Sequence, residues 1–195
     1  MKDINMKFVM FKYIGVIRSL FYKFWFKYIG IGGYFAKPLL LIGTNKISLG
    51  NKVRIMPGLR MEALNDGKII IGNDVSIAQD AHIISGGGCL EIGDRTTISS
   101  NVFISNVDHQ YEEIDAHILK QDLIFQQTII GENCFIGHGA VIMAGVNLGK
   151  QCIVGANAVV RKGTYPDYCV LAGVPAKRIK QYDSIEKKWK RVNDI

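Results

Sequence analysis

Four histidines, His82, His109, His117 and His138, are the side chains of this sequence best suited to moving protons at neutral pH. An imidazole with an ordinary pKa of about 6.5 can take a proton from a weak nucleophile and hand it on. His109 and His117 fall in one short stretch that also holds Asp108, Tyr111, Glu112, Glu113 and Asp115. Acids and a phenol at that spacing can orient an imidazole or bind hydroxyl groups, and they equally suit a solvated acidic loop. A second group is cationic: Arg161, Lys162, Lys177, Arg178 and Lys180 can hold anions. The cysteines Cys89, Cys134, Cys152 and Cys169 lack CxxC spacing, so they read as free, mostly buried thiols of a reducing compartment and not as zinc ligands.

The elements that must position these groups are written as a repeat. From Ile130 an aliphatic recurs every six residues, at Ile136, Ile142, Leu148, Val154 and Val160. Four positions on in each hexad stands a small or β-branched residue: Cys134, Ala140, Val146, Cys152, Ala158 and Thr164. The pattern returns upstream in Leu49-Gly50, Ile71-Gly72 and Ile92-Gly93, with Ile77, Ile83, Ile98 and Ile104 following in step. A period of six fits neither an amphipathic helix nor a strand alternating in a flat sheet. It fits a triangular solenoid whose aliphatics point inward and stack about 4.8 Å apart. Glycine often follows the aliphatic, as in Ile130-Gly131, Ile136-Gly137, Leu148-Gly149 and Val154-Gly155, and is expected to supply a turn with positive φ. That would account for 21 glycines in 195 residues.

Two breaks interrupt the hexads. Gly86-Gly87-Gly88 forms a bulge between Ile71 and Ile92, and extra material at 107–127 separates Ile104 from Ile130. Long extrusions from a compact repeat are usually functional. This one carries His109 where the coil can hold it rigidly, which makes His109 the candidate base and mid-loop His117 the alternative. His82 follows the small core residue Ala81 and reads as a turn or outward residue.

The net charge of +7 is segregated. Residues 1–61 carry eleven basic side chains and one acid, residues 62–160 four and twelve, and residues 161–195 nine and four. An acidic repeat between basic ends, with no known recognition module, disfavours nucleic-acid binding. No stretch offers the roughly 18 uncharged apolar residues of a membrane span, and lysines interrupt any signal-peptide core, so a cytoplasmic protein is expected. Tyr13, Ile14, Ile17, Leu20, Phe21, Phe24 and Tyr28 share one arc at helical spacing. Residues 6–28 therefore read as an amphipathic helix for a membrane surface, or as a helix packed on the solenoid or on a neighbouring subunit. Residues 183–191 suggest a short basic helix capped by Asp183 or Ser184. The expected division is 1–45, a basic, aromatic and helical segment; 46–165, the repeat with its extruded loop; and 166–195, a carboxy-terminal extension.

The hexads, the loop beginning "SNVDHQYEE" and the exit "VLAGVPAKRIK" together resemble the hexapeptide-repeat acyltransferases, most of all the galactoside, maltose and surface-polysaccharide O-acetyltransferases. The likeness spans about residues 46–181. It implies a mainly β fold, a left-handed parallel β-helix, assembled as a homotrimer with active sites between subunits. It implies acetyl-CoA as donor, no metal, and a sugar hydroxyl as acceptor in surface-polysaccharide assembly. The loop histidine, here His109, would be the general base, with Asp108 and Tyr111 as acceptor-binding candidates. Phe135, Gly137, Ala156 and Ala172 would line the pantetheine channel. Arg161, Lys162, Lys177, Arg178 and Lys180 would face the nucleotide end. The family often has Trp where this chain has Phe135, and a small residue where it has His138. Competing readings are N-acetylation of an amino-sugar nucleotide, a γ-type carbonic anhydrase needing three zinc-binding histidines, and a non-catalytic scaffold.

Overall fold

The computed structural model describes the backbone of residues 2–192 and the side chains of residues 9–192. Lys7, part of the expected amphipathic segment, has its side chain outside that range. After one helix, Lys2–Tyr22, the chain winds as a left-handed β-solenoid of about seven turns. Its three flat faces are parallel sheets of short strands. One face runs from Tyr28–Ile29 to Gly163–Tyr165, the second from Tyr34–Phe35 to Cys169–Gly173, and the third from Leu40–Ile42 to Val159–Val160.

The hexad aliphatics stack in register through the axis. Leu49 pairs with Ile71, Ile71 with Ile92, Ile92 with Ile130, and Ile130 with Leu148. All are buried, as are Ile136, Ile142, Val154 and Val160. Each large aliphatic removed from water contributes about 1.5–3 kcal/mol, and the repeat supplies one per short strand. Cys134, Cys152 and Cys169 lie in the same core as free thiols. Thr164 does not continue the inward series. Gly163 pairs with Val146, so Thr164 is exposed and Tyr165 takes the place opposite Leu148.

The repeat glycines work differently from the expectation. The positive-φ corner residues are Lys52, Asp74, Arg95, Asn133 and Gln151, two positions after Gly50, Gly72, Gly93, Gly131 and Gly149. The glycines are needed for close approach. A Cβ on Gly72 would lie 2.3 Å from Asp94 Oδ1 and 2.7 Å from its backbone nitrogen. Coils at inter-strand spacing leave no room for a side chain directed along the axis.

Both ends differ from the sequence reading. The first coil begins upstream of residue 46: Tyr28 pairs with Ser48, Phe35 with Ile55 and Leu41 with Met61. The helix stops at Tyr22 and not at Tyr28, because Phe26 and Ile29 must turn inward to close the coil's end. Tyr22, Phe26 and Phe35 pack there as an aromatic cluster. The helix lies on the second face through Phe11, Gly15, Arg18, Ser19 and Tyr22. Gly15 meets Tyr34, and Arg18 Nη1 donates to the Phe35 carbonyl at 3.1 Å. At the other end, residues 183–191 are not a helix. Ala176–Asp183 and Lys188–Arg191 form a hairpin on the second face. Asp183 does cap backbone N–H groups, those of Ile185 and Glu186, but in a hairpin turn. The cross-strand pair Tyr182–Trp189 outweighs helix propensity.

Candidate active site

The extruded loop leaves the third face after Phe103–Ser105 and returns as an antiparallel hairpin of Val107–His109 with Leu123–Phe125. Its root is pinned by a buried polar network. Asn106 accepts from the Gly86 N–H at 2.9 Å, and its Nδ2 donates to the Gly87 carbonyl at 2.7 Å and to Ser85 Oγ at 3.0 Å. The glycine bulge has a second use. A Cβ on Gly87 would sit 2.8 Å from the Phe125 ring, and one on Gly86 would sit 2.7 Å from it. Only glycine lets the hairpin settle against the coil. Farther out, buried Gln121 holds the loop backbone at Glu113 and Ala116.

His109 ends the first hairpin strand and lines a cavity of about 280 Å³ between the hairpin and the outer side of the third face. Ile84, Phe103, Val107, Val141, Met143 and Ala144 give it apolar walls. Its polar groups are His82, Ser105, Asp108 and His109. That is room for a single small ring system, at the low end of ligand sites. Asp108 Oδ1 accepts from the His109 backbone N–H at 2.8 Å. The His109 imidazole makes no hydrogen bond to another described residue, so it is open to a ligand.

The other candidates sort clearly. His117 is occupied elsewhere: its Nδ1 accepts from the Leu119 N–H at 3.1 Å and caps a short 3₁₀ turn. Tyr111 is exposed and outside the cavity lining. His138 is exposed and hydrogen-bonds Ser100 Oγ at 2.8 Å. His82 is on the strand His82–Ser85, outward as one of the two readings had it, but in the cavity wall. There its Nε2 lies 3.0 Å from Glu62 Oε1. Glu62 is buried and also pairs with Arg60. Burial pushes the Glu62 carboxyl upward, but hydrogen bonds and charge from Arg60 and His82 outweigh it and hold the group below its usual range. Those contacts stabilise the fold above the ordinary carboxylate pKa, and their contribution is lost as pH falls through the lowered one. Sequence reading missed this pair. Its signal was the 20-residue separation, close to one coil length.

Most residues assigned to the acyl donor come together at the carboxy-terminal end of the second face. Phe135 pairs with Ile153, which pairs with Val170, giving one outward row. Gly137 closely approaches the backbone of Ala156, and Ala172 packs against Gly155. Lys177 and Lys180 are opposite Ala172 and Val170 in the adjoining hairpin, and Arg178 is opposite Leu171. Arg161 and Lys162 are apart from these, at the end of the third face, where Lys162 covers Gly145 beside the cavity residue Ala144. The His109 cavity is lined by none of the donor candidates. Among the described residues, no three His, Cys, Asp or Glu side chains are grouped to hold a metal ion.

Residues 127–162 match a family model described as the hexapeptide repeat of succinyl-transferase. The chain is 30% identical over 161 residues to WbbJ of Escherichia coli strain K12, whose name assigns it to lipopolysaccharide biosynthesis as an O-acetyl transferase. That match covers 79% of this chain and 81% of WbbJ. A maltose O-acetyltransferase from Clostridium difficile 630 superposes with a TM-score of 0.60 at 26% identity, covering 72% of each chain. AntD, a Bacillus cereus N-acyltransferase solved with dTDP-4-amino-4,6-dideoxyglucose and coenzyme A, shares the fold. Its TM-score is 0.72 at 21% identity, over 87% of this chain and 91% of that one.

Proposed function

From the premise that the chain belongs to the hexapeptide-repeat acyltransferases, we propose that it moves an acetyl group from acetyl-CoA to a sugar hydroxyl in surface-polysaccharide assembly. The observation that carries this reading is His109, held at the end of a paired hairpin strand over a one-ring cavity, with its imidazole open to a ligand. A sugar hydroxyl is a weak nucleophile. His109 takes its proton as the oxygen attacks the thioester carbonyl, the C–O bond forms, and the C–S bond breaks. The coenzyme A thiolate leaves and recovers a proton. Asp108 braces the His109 backbone, and the apolar walls suit one face of a sugar ring.

None of the donor candidates lines this cavity and most of them gather on the second face, which supports a homotrimer in which a neighbouring copy presents the acyl donor. An acetyl-CoA turnover screen, followed by free thiol, tests the reading against sugars, nucleotide sugars, amino-sugar nucleotides and lipid-linked glycans. Acetyl ester formed on a hydroxyl supports it. Product only on an amine supports the N-acetyl alternative, and stoichiometric zinc with CO₂ hydration would replace both.

The N-terminal helix bears on where this happens. No helix among the described residues is long and apolar enough to cross a membrane. Yet Tyr13, Ile14, Ile17, Leu20, Phe21 and Phe24 all point outward, Phe24 being 84% exposed. The face against the solenoid is a different one, at Phe11, Gly15, Arg18, Ser19 and Tyr22. Lys23 and Lys27, just past the helix end, are exposed beside the outward apolar side chains, which complements an anionic lipid surface. A lipid-carried glycan acceptor would then meet the enzyme at the bilayer. Wild-type protein is expected to sediment with anionic phospholipid vesicles, and the double variant Leu20→Glu, Phe24→Glu to stay in the supernatant. Equal sedimentation of both would end the membrane reading. A wild type that ignores vesicles, with a variant that dissociates on a sizing column, would make the arc a subunit contact.

A further inference from the structure

Glu62 is the one buried carboxylate among the described residues, and it sits on the outer side of the solenoid, where no core requires it. Arg60 pairs with it from the same strand and His82 from the next coil. The His82 ring leans on Phe103, with centroids 5.1 Å apart at 67°. The imidazole is therefore fixed on two sides, and it lines the same cavity as His109. An ionised carboxylate only accepts hydrogen bonds, so the His82 Nε2 facing it must carry the proton. In the neutral ring the other nitrogen, Nδ1, is then an acceptor. It makes no hydrogen bond to another described residue.

We propose that Glu62 and His82 form the acceptor-holding pair of this cavity, with Nδ1 of His82 receiving a hydrogen bond from a sugar hydroxyl next to the one acetylated. This deepens the acetyltransferase reading and rests on it for the identity of the ligand. The pair gives the cavity a directional preference. A polyhydroxylated ring can donate to Nδ1, whereas an acceptor deoxygenated at that position leaves the nitrogen without a partner and is disfavoured. His82 is a binding group and Glu62 a positioning residue, distinct from the base.

The test separates binding from chemistry. His82→Phe, which keeps a ring in the wall, and Glu62→Gln, which keeps the shape but removes the charge, are each expected to raise the acceptor KM about five- to tenfold. The kcat should stay within twofold, with the KM for acetyl-CoA unchanged and the melting temperature lowered by only a few degrees as the buried ion pair is lost. Fifteen-nitrogen spectra of the wild-type imidazoles should show His82 locked with the proton on Nε2, and Glu62→Gln should release that preference. Unchanged acceptor KM in folded variants overturns the proposal. So does a fall in kcat with KM kept, which would place the pair in the chemistry, or a wild-type His82 without the Nε2–H form. A wild type that transfers acetyl to no sugar defeats the functional reading instead. Saccharide titration still decides the pair in that case: a shifted His82 Nδ1 resonance supports it, and no shift with any saccharide overturns it.

Discussion

Replacing His109 by alanine is expected to lower kcat by about 10²–10⁴-fold, the usual contribution of a positioned general base. The KM values should change little, and the protein should fold normally, because the side chain is exposed and makes no hydrogen bond that the fold needs. The internal control is His117→Ala in the same loop. Its imidazole is committed to the Leu119 N–H, so its loss should cost about 1 kcal/mol of local capping and leave turnover near wild type. A third arm uses His82→Phe, whose expected effect falls on acceptor KM and not on kcat. Steady-state assays of the three variants with one acceptor distinguish base, cap and binding group. A His109→Ala enzyme with full kcat would remove the mechanism, whatever the other two show.

Why sequence led to His109 and not to its neighbours is a matter of locality. The hexads are legible because each inward position faces the same constraint every six residues, so Ile130 to Val160 can be read without knowing the coil's hand. The loop is legible as what interrupts them. The glycines were found but misassigned. Sequence marks that a side chain is intolerable at Gly72, not whether φ or the next coil forbids it, and here Asp94 of the next coil does. The first coil was hidden, although Ile29, Phe35 and Leu41 keep the six-residue step and Gly30 follows Ile29, because the apolar arc that runs up to Tyr28 satisfies a helical period and draws the boundary past it. The carboxy-terminal hairpin was hidden for the opposite reason: Asp183 is a sound capping residue, and the ladder onto Cys169–Gly173 together with the Tyr182–Trp189 pair selects the strand. Glu62 and His82 meet across coils, so no local pattern announces them.

The same non-local logic makes the glycine bulge a sensitive point for catalysis. Gly87→Val is expected to lower kcat by about 10²-fold while shifting the melting temperature by only a few degrees. The substituted Cβ would start 2.8 Å from Phe125 Cγ, inside contact distance, and the backbone around Gly87 is tied to Asn106 and cannot retreat. Phe125 can move, since its side chain is 44% exposed. It is paired with Val107, two residues before His109 on the same strand, so the hairpin shifts as a unit. A displacement of about 1 Å at the reacting group is enough for a hundredfold loss. The solenoid core lies on the other side of the sheet and keeps its stacking. The second variant decides the cause. Gly87→Val combined with Phe125→Ala should recover most of the lost kcat, because the ring is removed and the hairpin can return to the coil. Phe125→Ala alone should be mild. Failure of the double variant to recover, or a Gly87→Val protein with wild-type kcat, would mean that the bulge does not set the position of His109.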